Sequence, residues 1–158
     1  MAPTERVTAD RVTTERLAAK RVTPERIIVE REVGESAVVQ GIGVDIVKLE
    51  RIEAVHRRFG DRFAAKVLSD EELSAGPITT SLIAKRFAAK EAVVKALGTG
   101  FRGGITMPSI TINKNSLNKP QVVLTGAAAE RLRVIGAQQV LVSIADEVDS
   151  VVAFAIAQ

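Results

Sequence analysis

Two carboxylates in this sequence stand in unusual company. Asp45 lies in the otherwise apolar run AVVQGIGVDIVKL (37–49), just after Gly41 and Gly43. Glu91 lies in RFAAKEAVVKALGTG (86–100) with three cations, Arg86, Lys90 and Lys95. On a helical wheel of about 100° per residue, Ala88, Ala89, Ala92 and Ala96 share one arc, a smooth face that lets another backbone approach closely. The opposite arc holds the four charged residues, but Phe87, Val94 and Leu97 lie among them, so it is no clean solvent face. An exposed Glu91–Lys95 pair at i,i+4 is worth about 0.2–0.5 kcal/mol and leaves Arg86 and Lys90 without a role. One carboxylate with three cations is half of a phosphate-and-magnesium site: Mg²⁺ takes one or two carboxylates plus phosphate oxygens, while Lys and Arg hold the remaining charge. Asp45 is the candidate for the second carboxylate. The glycines before it leave room for a ligand or a second backbone; the plainer reading of Asp45 is an exposed position on an edge strand.

The elements that must position these groups are legible from spacing. Ile42, Val44 and Ile46 alternate with Gly43, Asp45 and Val47, which predicts a strand with two distinct faces. Leu49, Ile52, Val55, Phe59 and Phe63 then recur at helical spacing, with a break expected at Gly60. Ser69, followed by Asp70, Glu71 and Glu72, reads as an N-cap with acids in the first turn. The chain turns around Gly76-Pro77, and a long helix is expected from about residue 80 to 97, stopping at Gly98. Beyond the GTGFRGG loop, SITINKN (109–115) and PQVVLTG (120–126) flank a turn, and GAAAERLRVIGAQ (126–138) reads as a short helix. VLVSIAD (140–146) and SVVAFAIA (150–157) form a hairpin. The expected class is α+β. No zinc spacing, Walker loop or dinucleotide fingerprint is present.

Composition narrows the function classes. Aromatic residues make up 3% of the 158, with no Trp or Tyr, so surfaces for stacking bases are scarce and single-strand nucleic-acid binding is disfavoured. Without cysteine there is no disulfide, thiolate zinc site or cysteine nucleophile, and a reducing cytoplasm fits. No apolar run approaches the ~20 residues that span a bilayer, and no secretory signal is evident; the expected location is cytoplasmic, without membrane or nucleic-acid partners. Residues 1–35 carry seven basic and seven acidic side chains, so the net charge of +3 belongs to the remainder. That excess suits a phosphorylated ligand or an acidic partner better than duplex DNA. In the same segment arginine recurs at 6, 11, 16, 21, 26 and 31. A five-residue step advances an α-helix by about 140° and builds no stripe, which predicts a poorly ordered or only locally helical extension over 1–36 ahead of one domain at 37–158. The other reading of the repeat is a docking arm.

GIGVDIVKLERIE (41–53) and RFAAKEAVVKALGTG together resemble the signature pair of the 4′-phosphopantetheinyl transferases, above all the short holo-acyl-carrier-protein synthases. The resemblance spans about residues 40–158. It implies an antiparallel sheet with a long helix packed on it. It also implies transfer of 4′-phosphopantetheine from coenzyme A to a serine of an apo acyl carrier protein or carrier domain, with adenosine 3′,5′-bisphosphate released. By the same resemblance Asp45 and Glu91 bind Mg²⁺, and Asp45, Glu91 and Lys95 form the catalytic set. Arg86, Lys90, Lys95 and Gly98 meet coenzyme A, as do Asn118, Lys119 and Pro120 at a turn where Gly-Lys-Pro is usual. Asn118 there remains able to adopt a left-handed conformation. Arg51 matches the arginine that meets the carrier's acidic helix. The proton lost by the serine passes to Glu91 or to a water beside the two carboxylates; the residues leave both open. His56, the one histidine, follows the first motif beside Arg57 and Arg58 and reads as a surface or carrier-facing residue.

The resemblance further implies a homotrimer with active sites between subunits. LTGAAAERLRVIGAQQVLVS (124–143) is similar to transferase domains that serve type I fatty acid synthases, which makes a carrier domain of fatty acid biosynthesis a candidate client. One departure stands out: where the family usually carries Ser-x-Ser-His or Ser-x-Thr-His, this chain reads Ser143-Ile144-Ala145-Asp146. An anion there repels a phosphate unless a cation intervenes, and Lys119 or a neighbouring subunit is expected to supply it. The departure also keeps open a non-catalytic coenzyme-A-binding module of the same fold. A third reading is an assembly protein whose basic helix and arm bind an acidic partner.

Overall fold

In the computed structural model, which describes residues 38–158, the chain enters as β1 (Gly41–Lys48) and runs directly into α1 (Leu49–Phe59). The N-terminal repeat and the boundary expected after residue 36 lie outside the described residues. Gly60, at φ 50°, separates α1 from α2 (Asp61–Val67), as its position between two helical runs predicts. Ser69 and Glu72 close a reciprocal capping box at α3 (Asp70–Ser74): the Ser69 hydroxyl accepts from the Glu72 N–H, and the Glu72 carboxylate accepts from the Ser69 N–H. The long helix, α4 (Thr80–Ala96), starts on a Thr79 cap and stops at Gly98, which takes the left-handed φ of 74°. Two short antiparallel strands follow, β2 (Ile110–Lys114) and β3 (Pro120–Leu124), then α5 (Gly126–Val134) and the hairpin of β4 (Val140–Asp146) with β5 (Ser150–Ala157).

The larger sheet is antiparallel, in the order β1-β5-β4, with Val44 opposite Phe154 and Asp45 opposite Ala153. Its inner face packs on α4, whose Ala88, Ala89 and Ala92 are fully buried and Ala96 nearly so. The alanine arc therefore meets a second backbone. A Cβ placed on Gly43 would lie 2.0 Å from the Ala92 carbonyl oxygen, and one on Gly41 would lie 2.0 Å from that of Ala96. The glycines before Asp45 thus serve strand-to-helix contact and bring β1 close enough to α4 for Asp45 and Glu91 to share a site. Gly43→Ala must push the two elements apart, an overpacking strain of about 1–3 kcal/mol or more. We expect a lowered midpoint in urea denaturation together with loss of activity.

The outer face of the sheet inverts the usual pattern. Ile42, Val44 and Ile46 are 64%, 56% and 66% exposed, and Val152 and Phe154 continue the patch on β5. Asp45, on an edge strand, lies on the inner side, and its side chain is only 16% exposed.

Candidate active site

Asp45, Glu91 and Lys95 meet where β1 crosses α4. The Lys95 ammonium donates to Asp45 Oδ1 at 2.8 Å and to the Val44 carbonyl at 2.9 Å. Its ion pair is thus with Asp45, 50 residues away in sequence, in place of the i,i+4 pair with Glu91. Asp45 and Glu91 both line a cavity of about 580 Å³, whose other walls include Arg51, Ile52 and Val55 of α1, Phe63 of α2 and Phe87 of α4. Burial pushes the Glu91 carboxyl above the usual carboxylate range; the Asp45 charge raises it further, and Lys95 only partly offsets both. Two carboxylates that repel each other across a cavity are a donor set that fits Mg²⁺, which takes one or two protein carboxylates and fills its remaining positions with water and phosphate oxygens. No larger group of His, Asp or Glu converges among the described residues.

The Glu91 shift has a definite sign. Because its folded pKa is raised, the metal-free protein is most stabilised by this group below the unfolded carboxylate pKa, and that contribution is lost as pH rises through the folded value. A divalent cation held by this pair would need the ionised form, so its binding would weaken on acidification at a higher pH than at an ordinary glutamate. Asp45→Asn removes a charge that raises Glu91, and its carboxyl resonance, followed by NMR, should then titrate at lower pH than in the wild type.

The other two cations of the charged helix are placed differently. Lys90 is completely buried: its ammonium donates to Glu72 Oε2 at 2.5 Å and to the Val67 carbonyl at 2.6 Å. The same carboxylate accepts the Ser69 and Ile112 N–H groups and lies 3.0 Å from Arg86 Nε, an ion pair without hydrogen-bond alignment. Burial pulls both Lys90 and Arg86 below their usual pKa ranges, against the pull of Glu72. The expectation of a ligand contact at Lys90 is therefore corrected: its ammonium is fully buried and bonded to Glu72 and the Val67 carbonyl, so it acts as a structural partner of Glu72. Sequence reading assigned Glu72 only to the first turn of α3. Its charge partners lie 14 and 18 residues further along the chain, on another helix, and no local spacing signals them.

Arg86 keeps an outlet. With Glu72, Lys85, Asn113 and Lys114 it lines a second cavity, of about 440 Å³. At the edge of α4 the Lys85 ammonium lies 2.7 Å from Asp146 Oδ2. Within this chain the cation beside Asp146 is Lys85, where Lys119 was expected, and the pair offsets part of the negative charge there. Asn118, at φ 61°, takes the left-handed conformation expected of it. Its turn is pinned by Asn115, whose side-chain oxygen accepts the Leu117 and Lys119 N–H groups. Asn118, Lys119 and Pro120 line neither cavity, and neither does Gly98, which ends α4 beside the Arg131 guanidinium. Arg51 lies on the rim with Asp45 and Glu91. His56 does not: its Nδ1 is 2.9 Å from the Thr80 hydroxyl.

Comparison with known proteins bears on this arrangement. The profile of the 4′-phosphopantetheinyl transferase superfamily matches residues 41–148. A holo-[acyl-carrier-protein] synthase of Neisseria gonorrhoeae is 44% identical over 124 residues, which span 77% of this chain and 99% of the relative. That of Desulfovibrio desulfuricans is 50% identical over 117 residues, 73% of this chain and 94% of the relative. Among solved structures, the Neisseria meningitidis synthase superposes with a TM-score of 0.71 at 40% identity, covering 77% of this chain and 99% of its own. The Helicobacter pylori synthase in complex with coenzyme A gives 0.66 at 32%, covering 74% and 99%. With Asp45, Glu91 and Lys95 gathered on the shared fold, the chain belongs to the 4′-phosphopantetheinyl transferase superfamily, in its holo-[acyl-carrier-protein] synthase group.

Proposed function

We propose that this chain transfers 4′-phosphopantetheine from coenzyme A to a serine of an apo acyl carrier protein or carrier domain. The carrying observation is the convergence of Asp45, Glu91 and Lys95 at one cavity, in a chain that aligns with nearly the full length of relatives named for this activity. The serine oxygen bonds to the phosphorus that bears the pantetheine arm, the bond from that phosphorus to the bridging oxygen breaks, and adenosine 3′,5′-bisphosphate leaves. Asp45 and Glu91 would hold Mg²⁺, which supplies charge neutralisation on the pyrophosphate oxygens. Lys95, half exposed and held by Asp45 and the Val44 carbonyl, is set to meet a phosphate oxygen. Glu91, or a water beside the two carboxylates, accepts the serine proton. Arg86, opening onto the second, basic cavity, is a further phosphate contact, with Lys90 behind it through Glu72. Gly98 and the Asn118–Pro120 turn are assigned to the nucleotide end, and Arg51 to the carrier.

The exposed apolar face of β1 and β5 supports self-association, since monomers rarely leave so continuous a patch in water; a homotrimer with sites between subunits is the arrangement proposed. A cytoplasmic carrier domain of fatty acid biosynthesis remains the proposed client. No described helix is long and apolar enough to cross a membrane. The rival reading, a coenzyme-A-binding module without turnover, drew its support from Asp146 and weakens with the Lys85 ion pair. The deciding experiment incubates the protein with coenzyme A, Mg²⁺ and an apo carrier and weighs the carrier. A phosphopantetheine mass increment is expected, and a native mass of the same preparation gives the copy number. Coenzyme A binding without modification of any of several carriers would establish the module instead.

A further inference from the structure

Helix α1 forms one wall of the cavity that holds Asp45 and Glu91, yet it is lightly anchored. Its one buried side chain is Ile52; further along, Val55 is 36% and Phe59 47% exposed. Arg57 pairs with Glu53 and Arg58 lies over the Phe59 ring, both within the helix. Among the described residues, the side-chain hydrogen bond or ion pair that ties α1 to another element is His56 Nδ1 to Thr80 Oγ1, at 2.9 Å. Thr80 is the first residue of α4, the helix that carries Phe87 and Glu91 on the facing wall. The bond does not depend on one tautomer, since Nδ1 can donate to the hydroxyl or accept from it. Ile52 holds the near end of the α1 wall, and the His56–Thr80 pair holds it one turn further on.

We propose that His56 is a positioning residue: through Thr80 it sets the separation of α1 from α4, and so how a carrier segment enters beside Asp45 and Glu91. This rests on the transferase reading above. Removing the bond loosens the wall without touching the carboxylates, so the expected signature is in carrier recognition and not in chemistry. Loss of one ordinary hydrogen bond corresponds to about a fivefold change. With coenzyme A saturating, His56→Ala and Thr80→Val should each raise the carrier KM about fivefold, while kcat and the KM for coenzyme A stay within about twofold. The double variant should be no worse than either single one, because both remove the same link. His56→Asn, whose amide can take the place of Nδ1, and Thr80→Ser should restore the wild-type KM. A carrier KM indifferent to both variants overturns the proposal, as do effects that multiply in the double variant. Loss of kcat in His56→Ala and His56→Asn with Thr80→Val silent overturns it in favour of His56 as a base. A wild-type chain that modifies no carrier overturns the transferase reading and this one with it, whereas an active wild type with an unmoved KM removes this one alone.

Discussion

An apo carrier mixed with coenzyme A, Mg²⁺ and the Glu91→Gln variant should keep its apo mass under conditions in which the wild-type chain modifies it fully. A loss of at least about a hundredfold in rate is expected, the scale on which removal of one charge-stabilising group at a reacting centre registers. The substitution keeps the shape of the side chain and removes only its charge. Because burial and Asp45 both disfavour that charge in the metal-free protein, the variant should fold as well as the wild type or slightly better. Lost activity with undiminished stability separates a site residue from a structural one. If the variant kept more than about a tenth of the wild-type rate, Glu91 would be neither an essential metal ligand nor the proton acceptor, and the proposed site would fail.

Glu72→Gln should show the opposite pattern, with stability lost first. Glu72 is 3% exposed and is, among the described residues, the one carboxylate set against the completely buried Lys90 ammonium. Removing one partner of a buried pair leaves an uncompensated charge, at a cost of about 3–5 kcal/mol out of the roughly 5–15 kcal/mol that holds a domain together. The midpoint of urea denaturation should fall accordingly. Adding Lys90→Met to Glu72→Gln should recover much of the loss, because the stranded ammonium is then gone. A shift of under about 1 kcal/mol for Glu72→Gln alone would mean that the pair is not what secures α3 and β2 against α4. Arg86 also leans on Glu72, at 3.0 Å, so the single variant should raise the KM for coenzyme A as well, to the extent that Arg86 contacts a phosphate.

These two carboxylates divide what local sequence determines from what it does not. The breaks at Gly60 and Gly98, the Ser69 cap, the two late strand pairs and the left-handed Asn118 were legible because each depends on conformational preferences within a few residues. Alternation along 42–47 likewise resolved two faces of β1. It did not say which face is buried: hydrophobicity would bury Ile42, Val44 and Ile46, but the face that packs on α4 is that of Gly43, Asp45 and Val47. The reason is steric, since a side chain at 43 would strike the Ala92 carbonyl, and only a glycine face can approach α4 so closely.

The residues 86–95 supplied four charged groups of the right types, and the sequence by itself determined that they do not sit on an ordinary solvated face. Tertiary structure alone decided their partners. Lys95 goes to Asp45, Lys90 and Arg86 go to Glu72, and Lys85, outside the motif, goes to Asp146. Each of these pairs spans 14 to 61 positions of chain. Helical periodicity reports which way a side chain points from its own axis; which charge waits there depends on how the sheet and the other helices pack around that axis, and on the strong penalty for burying a charge without a partner.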